Sequence, residues 1–140
     1  MRLLLFLIGF YCVGQTITTE VNTYITYKCT LNTHWCVDGF LRELGRFPLH
    51  GTESRMVCQS TNEILTSWHA TVNWDEAAKH DIEVVLIHNC STSRNDMSFG
   101  VVIGSVHTDE KVANFERYGD ITNINGGWGH TIFNNEEIFH

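Results

Sequence analysis

Hydrophobic and polar residues alternate with a period of two over much of this chain. Odd positions of the segment 21–32 are mostly apolar and even positions mostly polar, and the same alternation runs through 67–74, where Trp68 and Trp74 share one face. Successive side chains of a β-strand point to opposite faces of its sheet, so this period indicates half-buried strands. We therefore predict two strands here, with Trp68 and Trp74 in the core.

Five further segments have strand character. Residues 82–88 are β-branched and almost wholly apolar, which predicts a central strand buried on both faces. Within 99–107, Gly100 and Gly104 indicate a bulge or a close approach of two backbones. The remaining candidates are 35–44, 55–60 and 118–124.

Turn signals separate these strands. Pro48 and two glycines mark 45–51 as a loop, and Asn62-Glu63 indicates a turn. Only 75–79 combines residues of good helical propensity, and it is too short for more than one or two helical turns. We predict the all-β class, a β-sandwich of about seven short strands with at most one short helix.

The N-terminus has the layout of a secretory signal. Arg2 precedes the short apolar run 3–10, and a small-residue exit that includes Cys12, Val13 and Gly14 follows. A membrane-spanning helix needs about 20 apolar residues, more than this run or any later one supplies. We predict a signal peptide over 1–14, a secreted domain over 15–140 and no membrane-spanning segment. A buried N-terminal strand and an uncleaved anchor are the alternatives.

The charge of the chain restricts its partners. Sixteen acidic and nine basic residues give a formal net charge of −7, and removal of Arg2 with the leader would make the charge more negative still. Lys and Arg form no cluster along the sequence. Because an acidic surface repels phosphate groups, we predict that the domain binds neither nucleic acid nor anionic membranes in general.

Removal of the leader would take Cys12 and leave Cys29, Cys36, Cys58 and Cys90. An even number of cysteines in a small exported chain predicts two disulfides. Four cysteines allow three connectivities, among which the sequence does not choose; we favour Cys29 with Cys90 and Cys36 with Cys58. A metal site is the rival interpretation, but no C-x-x-C pair is present, and we predict neither a metal nor another cofactor.

One N-glycosylation sequon, Asn89-Cys90-Ser91, occurs in the chain. Asn89 is therefore a candidate glycosylation site. If Cys90 is bridged and Asn89 faces the core, we expect Asn89 to stay unmodified.

Three segments form a recognisable set. An opening strand ends in cysteine (24–29, YITYKC), an apolar strand ends in His-Asn-Cys (83–90, EVVLIHNC), and a late segment reads YGDITNI (118–124). In sequence, order and spacing they resemble the nematode transthyretin-like family, over residues 29–124. The resemblance implies a secreted transthyretin-like β-sandwich with no assigned catalytic activity, which works in extracellular recognition or carriage.

The chain departs from that family at three places. NTHWC (32–36) replaces the Gly and Pro that usually follow the first cysteine, and STNEI (60–64) replaces a "D-x-x-G-x-F" turn. The usual extra cysteine shortly after His-Asn-Cys is missing. These differences indicate a divergent member with its own disulfide pattern.

Catalytic motifs are lacking. The related 5-hydroxyisourate hydrolase fold uses a C-terminal Y-R-G-S motif, whereas this chain ends in EIFH (137–140), and there is no G-x-S-x-G sequence. Cysteines of an exported protein are oxidised and hence unavailable as nucleophiles. We therefore predict that the protein is not an enzyme.

Histidines and tryptophans are the remaining candidates for function. Trp35 and Trp128 lie outside the cleanest strand patterns and are candidate contacts for a ligand or partner. We predict a non-catalytic extracellular binding protein, which recognises a cell-surface component or carries a small apolar ligand; its partner would be an extracellular protein, a lipid or such a ligand. One alternative is a protein contact through edge strands. The other is a histidine-based metal-binding or hydrolytic protein, and its candidate residues are His34, His69, His88, His107 and His130.

Overall fold

The computed structural model describes residues 17–74 and 78–124, which form seven strands in two sheets. One sheet has the order β4-β1-β7 and the other β3-β2-β5-β6. The predicted all-β, two-sheet class is confirmed, and the described residues contain no helix. The strands are β1 (Ile17–Lys28), β2 (Trp35–Glu43), β3 (Val57–Gln59), β4 (Glu63–Trp74), β5 (Lys79–His88), β6 (Met97–His107) and β7 (Val112–Asp120).

Strand β1 is the centre of the three-stranded sheet. It pairs antiparallel with β4 and parallel with β7. The odd positions that the alternation places on one face, Val21, Ile25 and Tyr27 among them, are fully buried. They face the other sheet because apolar surface is stabilised by removal from water. Trp68 and Trp74 on β4 are buried as well, as predicted.

Strand β5 is central in the second sheet, between β2 and β6. The prediction that it is buried on both faces is wrong for its outward face, where Ile87 is 49% exposed. Farther along the same face, Glu83 is buried beneath Arg42, whose Nε donates to the Glu83 carboxylate at 2.7 Å. An ion pair therefore covers one part of this face, and the other part is open to solvent.

The predicted irregularity in β6 is present at Gly104. Ile82 pairs with Gly104 and the next residue, Glu83, pairs with Val102, so Ile103 is the extra residue of a bulge. A Cβ at position 104 would collide with the ring of Phe115 on β7. Glycine is required here because the aromatic ring occupies the space of a side chain.

Strand boundaries differ from the predictions in most strands, beginning with β1, which spans Ile17–Lys28 rather than 21–32. Strand β4 begins at Glu63, earlier than predicted, and β5 begins at Lys79, inside the predicted helical stretch. The predicted strand 118–124 is wrong in its second half, because β7 ends at Asp120. The amide of Thr122 donates to the Asp120 carboxylate, and Asn123 has a φ of 60°, so the chain turns there.

Several predictions concern residues outside the described ranges. The leader 1–14, the helical residues 75–77, Trp128 and His130 are among them, and these predictions stay predictions. Within 17–74 and 78–124, no helix combines the length and apolarity that crossing a bilayer requires.

Two regions of the sandwich matter for function. At one side, the edge strands β3 and β4 lie next to each other, and we call residues 51–59 together with β4 the β3–β4 edge. At one end, the turn after β7 meets the ends of β1 and β5. We call residues 28–29, 88–91 and 120–124 the stapled end.

Candidate functional site

Two disulfides connect the four predicted cysteines. Cys29 bonds to Cys90 with a Cα separation of 5.9 Å, and Cys36 bonds to Cys58 with a separation of 4.0 Å. The favoured pairing is therefore confirmed. Disulfides of this kind are typical of extracellular proteins.

The two disulfides differ in exposure. Both sulfur-bearing residues of the first, Cys29 and Cys90, are fully buried within the stapled end. In the second, Cys36 is half-buried and Cys58 is exposed on the β3–β4 edge. Only the second is therefore within reach of a reagent in solution.

Hydrogen bonds join the chain segments of the stapled end. The amide of Ile121 donates to the carbonyl of Lys28, and that of Asn123 donates to Cys90, each at 2.9 Å. These contacts and the buried disulfide bring together the three segments that carry the family resemblance. This end is a structural joint rather than an open site.

His88 is buried at the stapled end. Its Nε2 lies 2.9 Å from the carbonyl of Ile124 and, because a carbonyl can only accept, donates to it. The hydrogen-bonded role expected for a histidine at the end of a core strand is thus observed. Burial lowers the pKa of His88 and outweighs the opposite effects of the Ile124 bond and of Asp96.

Trp35 is not a surface contact residue, so that prediction is wrong. Its side chain is fully buried, and the indole N–H donates to the carbonyl of Thr61 at 2.7 Å. It starts β2, where Trp35, Val37 and Leu41 all face the core. The pattern of this strand was too irregular in sequence to reveal its inward face.

Asn89 lies between the two disulfides and is half-buried. Its side-chain oxygen accepts a hydrogen bond from the amide of Cys36 at 2.7 Å, and its own amide donates to the Cys36 carbonyl. Cys90 is bridged and the following Ser91 is buried. Asn89 thus has a structural role, and its glycosylation stays a prediction.

The candidate histidines lie apart from one another in the described residues. His88 is in the stapled end, His107 is exposed at the end of β6, and His69 contacts Asn22 across the β1–β4 pair. Within 17–74 and 78–124, the group that brings three potential metal ligands together consists of His34, Cys36 and Cys58. The two sulfurs in that group are bonded to each other.

A cleft of about 500 Å³ lies at the β3–β4 edge. It lies between the segment 51–57 and the middle of β4, a place to which the sequence pattern did not point. Residues 52–56 have no regular periodicity, so the wall they form could not be located from sequence. Five wall residues and five β4 residues line the cleft: Gly51, Glu53, Ser54, Arg55, Val57, Leu65, Thr66, Ser67, Trp68 and His69.

Among the strands of residues 17–74 and 78–124, none pairs with one of the two long edges of β4. The amide of Cys29 donates to the carbonyl of Asn62 at 2.8 Å, in register with the β1–β4 pairing. Backbone groups of alternate residues point to opposite sides of a strand, so even-numbered residues of β4 bond to β1 and odd-numbered residues face away. The carbonyl of His69 indeed points towards Gly51, and a Cβ there would lie 3.3 Å from it.

The backbone of three lining residues therefore faces the cleft. Within the described part of the chain, no hydrogen bond engages the backbone N–H or C=O of Leu65, Ser67 or His69. The side chain of Leu65 is 61% exposed and lines the cleft. Such an arrangement can hydrogen-bond an extended backbone and seat an apolar side chain.

Comparisons with known proteins found no relative of this chain. Neither a family model, nor a curated protein, nor a solved structure matches the chain. The similarity to the nematode transthyretin-like family therefore stays a prediction. Function has to be argued from the site itself.

Proposed function

We propose that this is a secreted, non-catalytic binding protein of the transthyretin-like type, which recognises an extended peptide segment of a cell-surface or other extracellular protein. Its binding site is the cleft at the β3–β4 edge. The two disulfides support an extracellular role. The meeting of the three family-like segments at the stapled end supports the family assignment.

The observation that carries this proposal is the backbone of Leu65, Ser67 and His69, which no other described residue engages. Exposed strand edges pair readily with other chains, so proteins usually shorten, charge or cover them. Here the exposed edge borders a cleft. The cleft walls restrict pairing to a partner as narrow as a single extended chain. Residues two apart in a strand are about 6.7 Å apart, the spacing at which an extended peptide presents its own N–H and C=O groups.

The lining of the cleft suggests which peptide would fit. Leu65 and Val57 offer apolar surface, and Arg55 and Glu53 bring charges of both signs. In strand addition, backbone bonds give affinity, and pockets for alternate side chains give specificity. The expected ligand has one apolar side chain flanked by polar ones.

Carriage of a small apolar ligand fits this cleft less well. Pockets for such ligands are lined mostly by apolar side chains and bury most of the ligand. Here the wall contributes Glu53, Ser54 and Arg55, and β4 contributes Ser67 and His69. A peptide, which is polar along its backbone, matches this mixed lining better.

Selection from a random peptide library displayed on phage, with the full chain immobilised, tests the proposal. Ser67→Pro removes an N–H that faces the cleft without removing a bond to β1. Thr71→Pro is the matched control, since residue 71 has the same orientation on β4 but does not line the cleft. We expect selected peptides to bind wild type and Thr71→Pro, with at least a tenfold loss for Ser67→Pro.

Other outcomes would contradict the proposal. Peptides that bind Ser67→Pro as well as wild type would place recognition elsewhere. Failure to select any peptide, together with saturable binding of a fluorescent fatty acid, would favour apolar carriage. Saturable binding to zwitterionic phospholipid vesicles would favour a lipid surface as the partner.

A further inference from the structure

The exposed disulfide has a third potential ligand beside it. One ring nitrogen of His34 and the sulfurs of Cys36 and Cys58 all lie within 4.8 Å of one another. His34 directly precedes β2, and Cys36 is the second residue of that strand. Cys58 lies directly opposite Cys36 in the β2–β3 pairing.

The backbone would keep these side chains together without the sulfur–sulfur bond. The N–H and C=O of Cys36 bond to Asn89 on the β5 side, so Cys36 and Cys58 form a non-hydrogen-bonded pair of the β2–β3 ladder. In such pairs the Cβ atoms lie about 4.5–5.5 Å apart. Two thiolates on that pair can reach the separation of about 3.8 Å that tetrahedral zinc requires, with Zn–S bonds of about 2.3 Å.

The ring of His34 has a hydrogen-bond partner beside the disulfide. Its Nδ1 lies 3.1 Å from the hydroxyl oxygen of Ser60. Metal-binding histidines commonly donate one ring N–H to a neighbouring acceptor, which leaves the other nitrogen with its lone pair for the metal. Ser60 can accept from Nδ1, and Nε2 would then be the ligand atom.

Exposure makes one disulfide selectively reducible. Thiol–disulfide exchange requires that the attacking thiolate reach a sulfur atom. Cys58 is exposed, whereas Cys29 and Cys90 are fully buried. A reductant in solution therefore meets the Cys36–Cys58 bond first.

We propose that reduction of the exposed Cys36–Cys58 disulfide creates a zinc site in which Cys36, Cys58 and His34 are the protein ligands. A small-molecule thiol attacks Cys58, the sulfur–sulfur bond breaks and Cys36 leaves as a thiolate. A second thiol attacks the mixed disulfide at the small molecule's sulfur and releases Cys58. Two electrons pass from the two small thiols, which become a disulfide, to the protein. Both cysteines bind Zn²⁺ as thiolates, and water occupies the fourth position.

This site is separate from the peptide cleft of the proposed function. Neither His34 nor the two cysteines line that cleft. The zinc site would make binding of the metal dependent on the redox state of the surroundings, because oxidation removes two of its three protein ligands.

The test treats the full chain with increasing amounts of a phosphine reductant, alkylates the thiols and maps them by mass spectrometry. Zn²⁺ affinity is then measured against a chromophoric chelator, with Co²⁺ as a spectroscopic substitute. We expect Cys36 and Cys58 to be alkylated before Cys29 and Cys90. The reduced protein should bind one Zn²⁺ and, with Co²⁺, show thiolate-to-cobalt charge-transfer absorption.

Variants separate a built site from incidental thiol binding. Loss of an outer-sphere partner costs about 10–100-fold in metal affinity, so His34→Ala, which removes a ligand, should cost at least as much. His107→Ala, an exposed histidine on a different strand, is the matched control and should bind zinc like wild type. The double variant C36S/C58S should show no such site.

Two results would overturn the proposal. Equal zinc affinity in reduced wild type and His34→Ala would show that His34 is not a ligand. Opening of Cys29–Cys90 at the same reductant concentration as Cys36–Cys58 would show that exposure does not select the disulfide.

Discussion

The stapled end and the β3–β4 edge each contain a disulfide and a histidine, yet their surroundings differ. At the stapled end both cysteines are fully buried, and His88 donates to a backbone carbonyl. At the edge, Cys58 is exposed, and so is His34, which lies beside it just before β2. Burial, rather than residue type, therefore distinguishes the disulfide and histidine of one region from those of the other.

Asn89 connects the two regions. It lies between His88 and Cys90 of the stapled end, and its side chain and backbone both bond to Cys36. Asn89 therefore links the two disulfides directly, although their exposures differ. Variants that affect one region and spare the other are the sharpest tests of this comparison.

Removal of the buried disulfide should have the largest effect on stability. The Cys29–Cys90 bond spans 61 residues. Closure of a loop of that size contributes about 4 kcal/mol by the chain-entropy model. We expect the double variant C29A/C90A to lose about this much free energy of unfolding in urea titrations.

Removal of the exposed disulfide should cost less. The Cys36–Cys58 bond spans only 22 residues, and a loop of that size contributes about 3 kcal/mol. C36A/C58A also leaves the core intact, because neither residue is fully buried. A greater loss for C36A/C58A than for C29A/C90A would contradict the assignment of the structural role to the buried bond.

Trp35 tests how far the core extends towards the β3–β4 edge. Trp35→Phe removes the hydrogen bond to Thr61 and part of a fully buried ring. We expect a loss of about 2 kcal/mol in the free energy of unfolding. Phe47→Leu, at an exposed position, is the control and should stay within about 0.5 kcal/mol of wild type. Equal effects of the two substitutions would contradict the buried position of Trp35.

His88 should make the stapled end sensitive to acid. Burial lowers its pKa in the fold, so below the ordinary pKa the unfolded chain binds the proton more readily than the folded one. Its contribution to stability is complete above about pH 6.5 and declines as the pH falls below that value. Wild type should therefore lose more stability than His88→Gln between about pH 7.5 and pH 5.5. Equal slopes in thermal unfolding would contradict this account.

Much of the fold could be predicted because its strands alternate regularly. The period of two located most of β1 and part of β4 and placed Trp68 and Trp74 in the core. The first half of β7 was not predicted, although Ala113 and Phe115 are buried there. Only two inward apolar residues mark that strand, and its pairing with β1 joins parts of the chain that are distant in sequence.

The candidate site could not be predicted from the same pattern. A cleft depends on where the irregular segment 51–57 packs against β4, and no local periodicity records that contact. The association of His34 with Cys58 likewise requires the β2–β3 register. The closeness of His34 and Cys36 in sequence held part of this signal, since His34 directly precedes β2 and Cys36 is the second residue of that strand.

Residue-resolved amide hydrogen exchange on the oxidised protein tests the central claim, an unpaired β4 edge in the cleft, most directly. The account predicts alternation along β4: fast exchange at Leu65, Ser67 and His69, and slow exchange at Thr66 and Trp68, whose amides bond to β1. Uniform protection across these five residues would contradict it, because the edge would then already be paired.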